Sequence, residues 1–177
     1  MIRNMNKKVV LATACISLWS PAGSAIDGFS LEAGSGQGST RVARVGAQWN
    51  WQKKWLTQNR WQLGGYWDAQ IGMWDNDAGP GSIADFSITP VFRLAAADSP
   101  LYFEAAIGLH YLSDYPSRGG SAFSTRFQFG DHLGIGLRFG ERKAHDVGLR
   151  LQHLSNAGIR NPNPGINLIL ARYQYHF

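Results

Sequence analysis

From Phe29 onward the sequence alternates apolar and polar residues with a period of two, broken by clusters of Gly, Pro, Asn and Asp. Successive side chains of a strand point to opposite faces, so this pattern specifies antiparallel β-structure. Eight such segments can be marked, near residues 28–36, 40–51, 61–75, 82–95, 101–113, 123–139, 145–157 and 165–177. Most are long enough for a tilted strand to cross a bilayer, which takes roughly 9–11 residues. An even number of antiparallel strands closes into a barrel with no free edge. The expected fold is all-β, an eight-stranded antiparallel transmembrane β-barrel with a side-chain-filled interior.

The two faces of each segment differ sharply. In the fifth, Leu101, Phe103, Ala105, Ile107 and Leu109 oppose Tyr102, Glu104, Ala106, Gly108 and His110. The fourth and sixth repeat this division, with Asp85, Arg93, Gln128, His132 and Arg138 on the polar side. The alternation alone fits either a soluble barrel with its apolar face inside or a membrane barrel with that face outside. The chain ends favour the membrane. Arg3, Lys7 and Lys8 precede the apolar run Val9 to Trp19 and the small residues Gly23-Ser24-Ala25, the order of a secretory signal peptide. Residues 1–25 are therefore expected to be removed, leaving 26–177 as the barrel. The final strand ends Tyr173-Gln174-Tyr175-His176-Phe177, which resembles the terminal signal of outer-membrane barrels and supplies an interfacial girdle. In that orientation Glu32, Asp68 and Glu104 are expected to pair inside with Arg44, Arg93, Arg126, Arg150 and Arg172, making the barrel a plug.

Composition narrows the function. Three of the 17 basic residues leave with the signal, so 14 face 12 acidic ones and the formal charge falls from +5 to about +2. Nucleic acid is a poor match to such a surface. Cys15, the one cysteine, lies in the apolar part of the signal, which leaves the mature chain without thiol or disulfide chemistry. Reading Cys15 as a lipoprotein site would forgo the better cleavage site at Ala25.

The seventh segment reads V-G-L-R-L-Q-H-L-S-N from Val147, and places His153 and Ser155 on the apolar face with Val147, Leu149 and Leu151. Polar groups on a lipid-facing wall are costly, so a base beside a hydroxyl there points to chemistry. Side chains at i and i+2 stand about 7 Å apart at their roots, within reach of a histidine nitrogen for a serine oxygen. A chain entering from the periplasm runs outward in its seventh strand, so both residues face the outer leaflet and the loop Gly158–Gly165 is extracellular. By parity Asn167 on the eighth segment faces the same way and is the candidate third member. Asp131 on the sixth is an alternative acid, unless a bulge near Gly130 turns it into the interior.

These residues carry a resemblance. His153-Leu154-Ser155-Asn156-Ala157-Gly158-Ile159, with Asn161-Pro162-Asn163-Pro164-Gly165-Ile166-Asn167, resembles the active-site segment of the lipid A 3-O-deacylases of Gram-negative outer membranes. The likeness extends to Trp49-Asn50-Trp51, Gly65-Tyr66-Trp67-Asp68, Pro90-Val91-Phe92, Phe103 to Gly108 and the aromatic C-terminus. It implies Ser155 as nucleophile, His153 as base and an oxyanion hole formed by Asn156 with the Gly158 amide and Asn163; outward-facing Phe129 joins them as a substrate contact. The implied reaction is hydrolysis of the 3-O-linked hydroxyacyl ester of lipid A, without metal or cofactor. One position departs from the family pattern, which has Glu or Asp where this chain has Asn167.

The expected partners are lipid A or lipopolysaccharide and the outer membrane, with no nucleic acid and with a homodimer left open. A non-catalytic small barrel, a degenerate deacylase with a structural or adhesive role, is the competing reading. A soluble barrel binding an apolar ligand is a third.

Overall fold

Strand pairing runs unbroken around the molecule and returns to its start. The structure, a computed structural model, describes residues 25–57, 60–76, 82–114 and 123–177. The expected signal segment lies outside the described residues apart from Ala25, as does most of the loops Asp75–Ser82 and Ser113–Ala122. The strands are β1 Gly28–Gly36, β2 Thr40–Asn50, β3 Trp61–Asn76, β4 Ile83–Ala96, β5 Leu101–Leu112, β6 Phe127–Phe139, β7 His145–Ser155 and β8 Ile166–His176. Each pairs antiparallel with its sequence neighbour, and β1 pairs with β8 to close the barrel. The expected segments match these strands closely, except that β6 begins at Phe127. Phe123 and Ser124, expected within that strand, are buried in the chain leading into it.

The apolar faces point outward. Leu31, Leu133 and Leu151 are 58%, 67% and 63% exposed, whereas Arg44 and Arg150 are each 3% exposed. A soluble barrel would have the reverse, because apolar surface on this scale is unstable in water. The outer wall is that of a transmembrane β-barrel, and the soluble alternative is thereby excluded.

Ionic side chains fill the interior. Arg44 joins Glu32 at 2.8 Å and Asp85 at 2.9 Å; Arg150 joins Glu32 at 3.0 Å and Glu104 at 2.9 Å; Arg93 joins Glu104 at 2.6 Å and Asp146 at 2.8 Å. Arg172 pairs with Asp68, and the Tyr66 hydroxyl donates to Glu104 at 2.7 Å. Buried charges of this kind are stable only when paired, and each of these guanidinium groups meets at least one carboxylate. The network includes Asp85 and Asp146, beyond the carboxylates expected. It omits Arg126, which is exposed. That residue precedes the first residue of β6, so strand parity does not govern it.

Two aromatic groups mark the ends of the wall. Around the chain termini, Phe29, Tyr175 and Phe177 pack edge to face, Phe139 stacks on His145, and Trp51 meets Trp55, Trp67 and Phe92. At the opposite end Phe127 and Phe129 pack with centroids 5.2 Å apart. Aromatic rings at both levels are the expected anchors of a barrel at the two membrane interfaces.

Candidate active site

Alternation along β7 puts His153 and Ser155 on the outer wall, at the end of the barrel away from the chain termini. Both are half-buried. Pairing of β7 with its neighbours places His153 between Asp131 of β6 and Asn167 of β8, and Ser155 opposite Phe129. One row across the wall therefore reads Asp131, His153, Asn167. The row on its membrane side is apolar, with Leu133, Leu151 and Ile169.

The imidazole is held from the β8 side. His153 Nδ1–H donates to Asn167 Oδ1 at 2.7 Å. An amide oxygen can only accept, so the proton sits on Nδ1 and the lone pair of Nε2 is left for use as a base. Asp131 is exposed on the outer wall, and β6 runs in unbroken register from Phe127 to Phe139. There is no bulge at Gly130, so Asp131 keeps the outward parity expected of it and the alternative inward placement is excluded. Asp131 makes no hydrogen bond to His153 although it stands opposite in register. Nor is there a hydrogen bond between His153 and Ser155, a contact that in unliganded sites is often long and tightens around substrate.

The imidazole depends on Gly165. That residue has φ +69, and a Cβ there would lie 2.5 Å from His153 Cε1, 2.8 Å from Nε2 and 2.9 Å from the Leu154 carbonyl. Any other residue would push the ring from its place. Sequence pattern offers no signal for this contact beyond a glycine two residues before Asn167.

Past Ser155 the chain turns sharply through two left-handed residues, Ala157 at φ 53 and Gly158 at φ 76. The alternation of β7 carries Asn156 inward with Gln152 and Leu154, and it is fully buried. Its Nδ2 donates to Ser124 Oγ at 2.9 Å and to the Arg160 carbonyl at 2.8 Å, and its main-chain N–H donates to Asn163 Oδ1 at 2.9 Å. With these donors engaged, Asn156 ties the turn to the chain entering β6. The N–H groups of Ala157 and Gly158 have no hydrogen-bond partner among the described residues, nor has Asn163 Nδ2. Ser124, which also donates to the Arg160 carbonyl at 2.8 Å, is a member of this node that sequence reasoning missed. It lies 32 positions from Asn156 along the chain. Among the described residues no group of three or more His, Cys, Asp or Glu side chains is arranged to hold a metal ion.

The chain has known relatives. The profile of a family described as lipid A 3-O-deacylase (PagL) matches residues 41–176. The lipid A deacylase PagL of Bordetella bronchiseptica is 35% identical over 179 aligned positions, covering 96% of this chain and 93% of that protein. The lipid A deacylase PagL of Pseudomonas aeruginosa is 34% identical over 140 positions, covering 77% of this chain and 79% of its own length. The crystal structure of the outer membrane enzyme PagL superposes with a TM-score of 0.77 at 30% identity, covering 85% of this chain and 99% of the other. In sequence over nearly its whole length, and in the closed eight-stranded barrel, the chain belongs to the PagL family of lipid A 3-O-deacylases.

Proposed function

We propose that this protein is an outer-membrane esterase that removes the 3-O-linked hydroxyacyl chain from lipid A, using Ser155 and His153 on the lipid-facing wall near the outer leaflet. The observation that carries the reading is the His153 Nδ1–H to Asn167 Oδ1 bond of 2.7 Å, beside Ser155 and next to the apolar row Leu133, Leu151 and Ile169. A solvated or structural histidine has no need of such a partner there. The reading also rests on family membership. Residues 1–25, as a signal removed on export, fit the same destination.

Chemistry follows from the positions. Ser155 Oγ attacks the ester carbonyl while its proton moves to His153 Nε2, and the N–H groups of Ala157 and Gly158, with Asn163 Nδ2, stabilise the oxyanion. The tetrahedral intermediate expels the sugar 3-oxygen, which takes the proton back from Nε2. Water then attacks the acyl-enzyme, again losing its proton to Nε2, and the free hydroxy acid leaves as Ser155 is restored. Asn167 orients the ring and selects its tautomer. It adds no charge to stabilise the imidazolium, and the Asp131 carboxylate across the row is placed to do so through space. Phe129, opposite Ser155, and the row Leu133, Leu151 and Ile169 form the surface along which the acyl chain lies.

Mass spectrometry of lipid A from cells with and without this chain tests the reading. Loss of one hydroxyacyl mass from the 3-position is expected only when the chain is present and Ser155 is intact. The neutral Asn167 favours a second reading, a barrel that kept the fold and lost the reaction; unchanged lipid A in a strain carrying folded protein would select it.

A further inference from the structure

Two arginines stand on the loop side of Ser155. Arg126 and Arg160 are both exposed, and neither side chain has an ion pair or hydrogen bond among the described residues. The interior arginines, by contrast, are all paired with carboxylates. The same node that shapes the turn brings the two together. Ser124 Oγ and Asn156 Nδ2 both donate to the Arg160 carbonyl, each at 2.8 Å, and Asn156 directly follows Ser155. Arg126 is two residues from Ser124, at most about 7 Å along the chain, and its carbonyl is fixed by the Leu112 N–H at 2.8 Å. Their guanidinium groups are thus within the combined reach of two long side chains.

We propose that Arg126 and Arg160 form a phosphate-binding pair that seats the phosphorylated sugar headgroup of the lipid substrate above Ser155. The inference rests on the deacylase reading and gives it a basis for headgroup recognition. Lipid A is a phosphorylated disaccharide whose acyl esters lie between a charged headgroup and apolar chains. The wall has the same order. The arginines lie on the loop side of Ser155, and Leu133, Leu151 and Ile169 lie on its membrane side, so a lipid seated by both ends presents an ester at the serine. Guanidinium forks match phosphate oxygens bidentately, and at the edge of a low-dielectric layer such contacts are weakly screened. Among the described residues two exposed carboxylates lie in this region: Asp131 is five residues further down β6 than Arg126, roughly 17 Å at strand rise, and Asp114, two residues past the Leu112 whose N–H bonds the Arg126 carbonyl, forms no ion pair with either arginine.

The test compares purified wild-type barrel with Arg126→Gln, Arg160→Gln and the double variant, on bisphosphorylated lipid A and its dephosphorylated counterpart in mixed micelles. A wild-type preference for the phosphorylated lipid is expected. KM for that lipid should rise about tenfold per substitution, as expected for loss of a charge-assisted contact, and the preference should vanish in the double variant. A double variant that keeps the wild-type preference overturns the proposal. Binding of the same lipids to Ser155→Ala barrels, with and without the arginine substitutions, separates recognition from turnover. Phosphate-dependent binding by a protein that hydrolyses neither lipid would leave the arginine pair standing and sink the deacylase reading; hydrolysis with no phosphate preference would do the opposite. Inorganic phosphate at a matching concentration should not displace the lipid. Displacement would identify a free-anion site and overturn the lipid assignment.

Discussion

His153 is fixed from two directions, by the acceptor Asn167 Oδ1 and by the open space over Gly165. Each constraint yields a prediction. Asn167→Ala removes the acceptor and frees the tautomer, so turnover should fall by about 10–100-fold, less than the roughly 10⁴ seen when a protease triad acquires the wrong tautomer. Asn167→Asp supplies the missing charge and should raise turnover, whereas Asp131→Asn should cost less than Asn167→Ala; steady-state hydrolysis of lipid A ranks the three. If Asp131→Asn is the most damaging, Asp131 is the working acid. Gly165→Ala should displace the imidazole, lowering kcat and abolishing the Nδ1–H signal of the Asn167-bonded ring in nitrogen-detected NMR, with the barrel still folded. A Gly165→Ala protein with that signal and full activity would contradict the steric account.

The turn from Ser155 to Ile166 is the element that makes a site out of a strand end. Asn156, Ser124 and the Arg160 carbonyl tie it to the chain entering β6, and the left-handed Ala157 and Gly158 leave two N–H groups without partners among the described residues. Asn156→Ala should leave these contacts unmade and lower turnover at least tenfold, as the oxyanion donors lose their fixed positions. Heat-modifiable gel mobility should still report a folded barrel. The strands themselves were legible in the sequence because their period of two is dictated by burial on one side and lipid on the other. That rule stops at strand ends. Arg126 was misread because it lies just outside β6, and the start of β6 because Phe123 and Ser124 are buried without being paired in a strand. Gly165 and Ser124 act through contacts between segments, which no local pattern encodes.

The whole molecule combines an ionic interior with the proposed reactive patch on its outer wall. Glu104 touches Arg93, Arg150 and Tyr66, so Glu104→Gln leaves buried guanidinium groups short of charge and should destabilise the barrel by about 3–5 kcal/mol. Asp98→Asn breaks an exposed 3.8 Å pair with Arg60 and should cost less than about 1 kcal/mol. Urea unfolding in micelles distinguishes the two, and equal midpoints would contradict the interior network as a source of stability. The scaffold and the chemistry are separable on this account: interior variants change how much protein is folded, and wall variants change what the folded protein does. The central claim is that Ser155 becomes acylated by the 3-linked chain of lipid A. Its most direct test is to quench purified protein early in the reaction and find the mass of one hydroxyacyl group on the peptide containing Ser155. The account predicts that adduct in wild-type protein, with neither adduct nor acyl release in Ser155→Ala; release of the 3-linked chain by Ser155→Ala at the wild-type rate would contradict it.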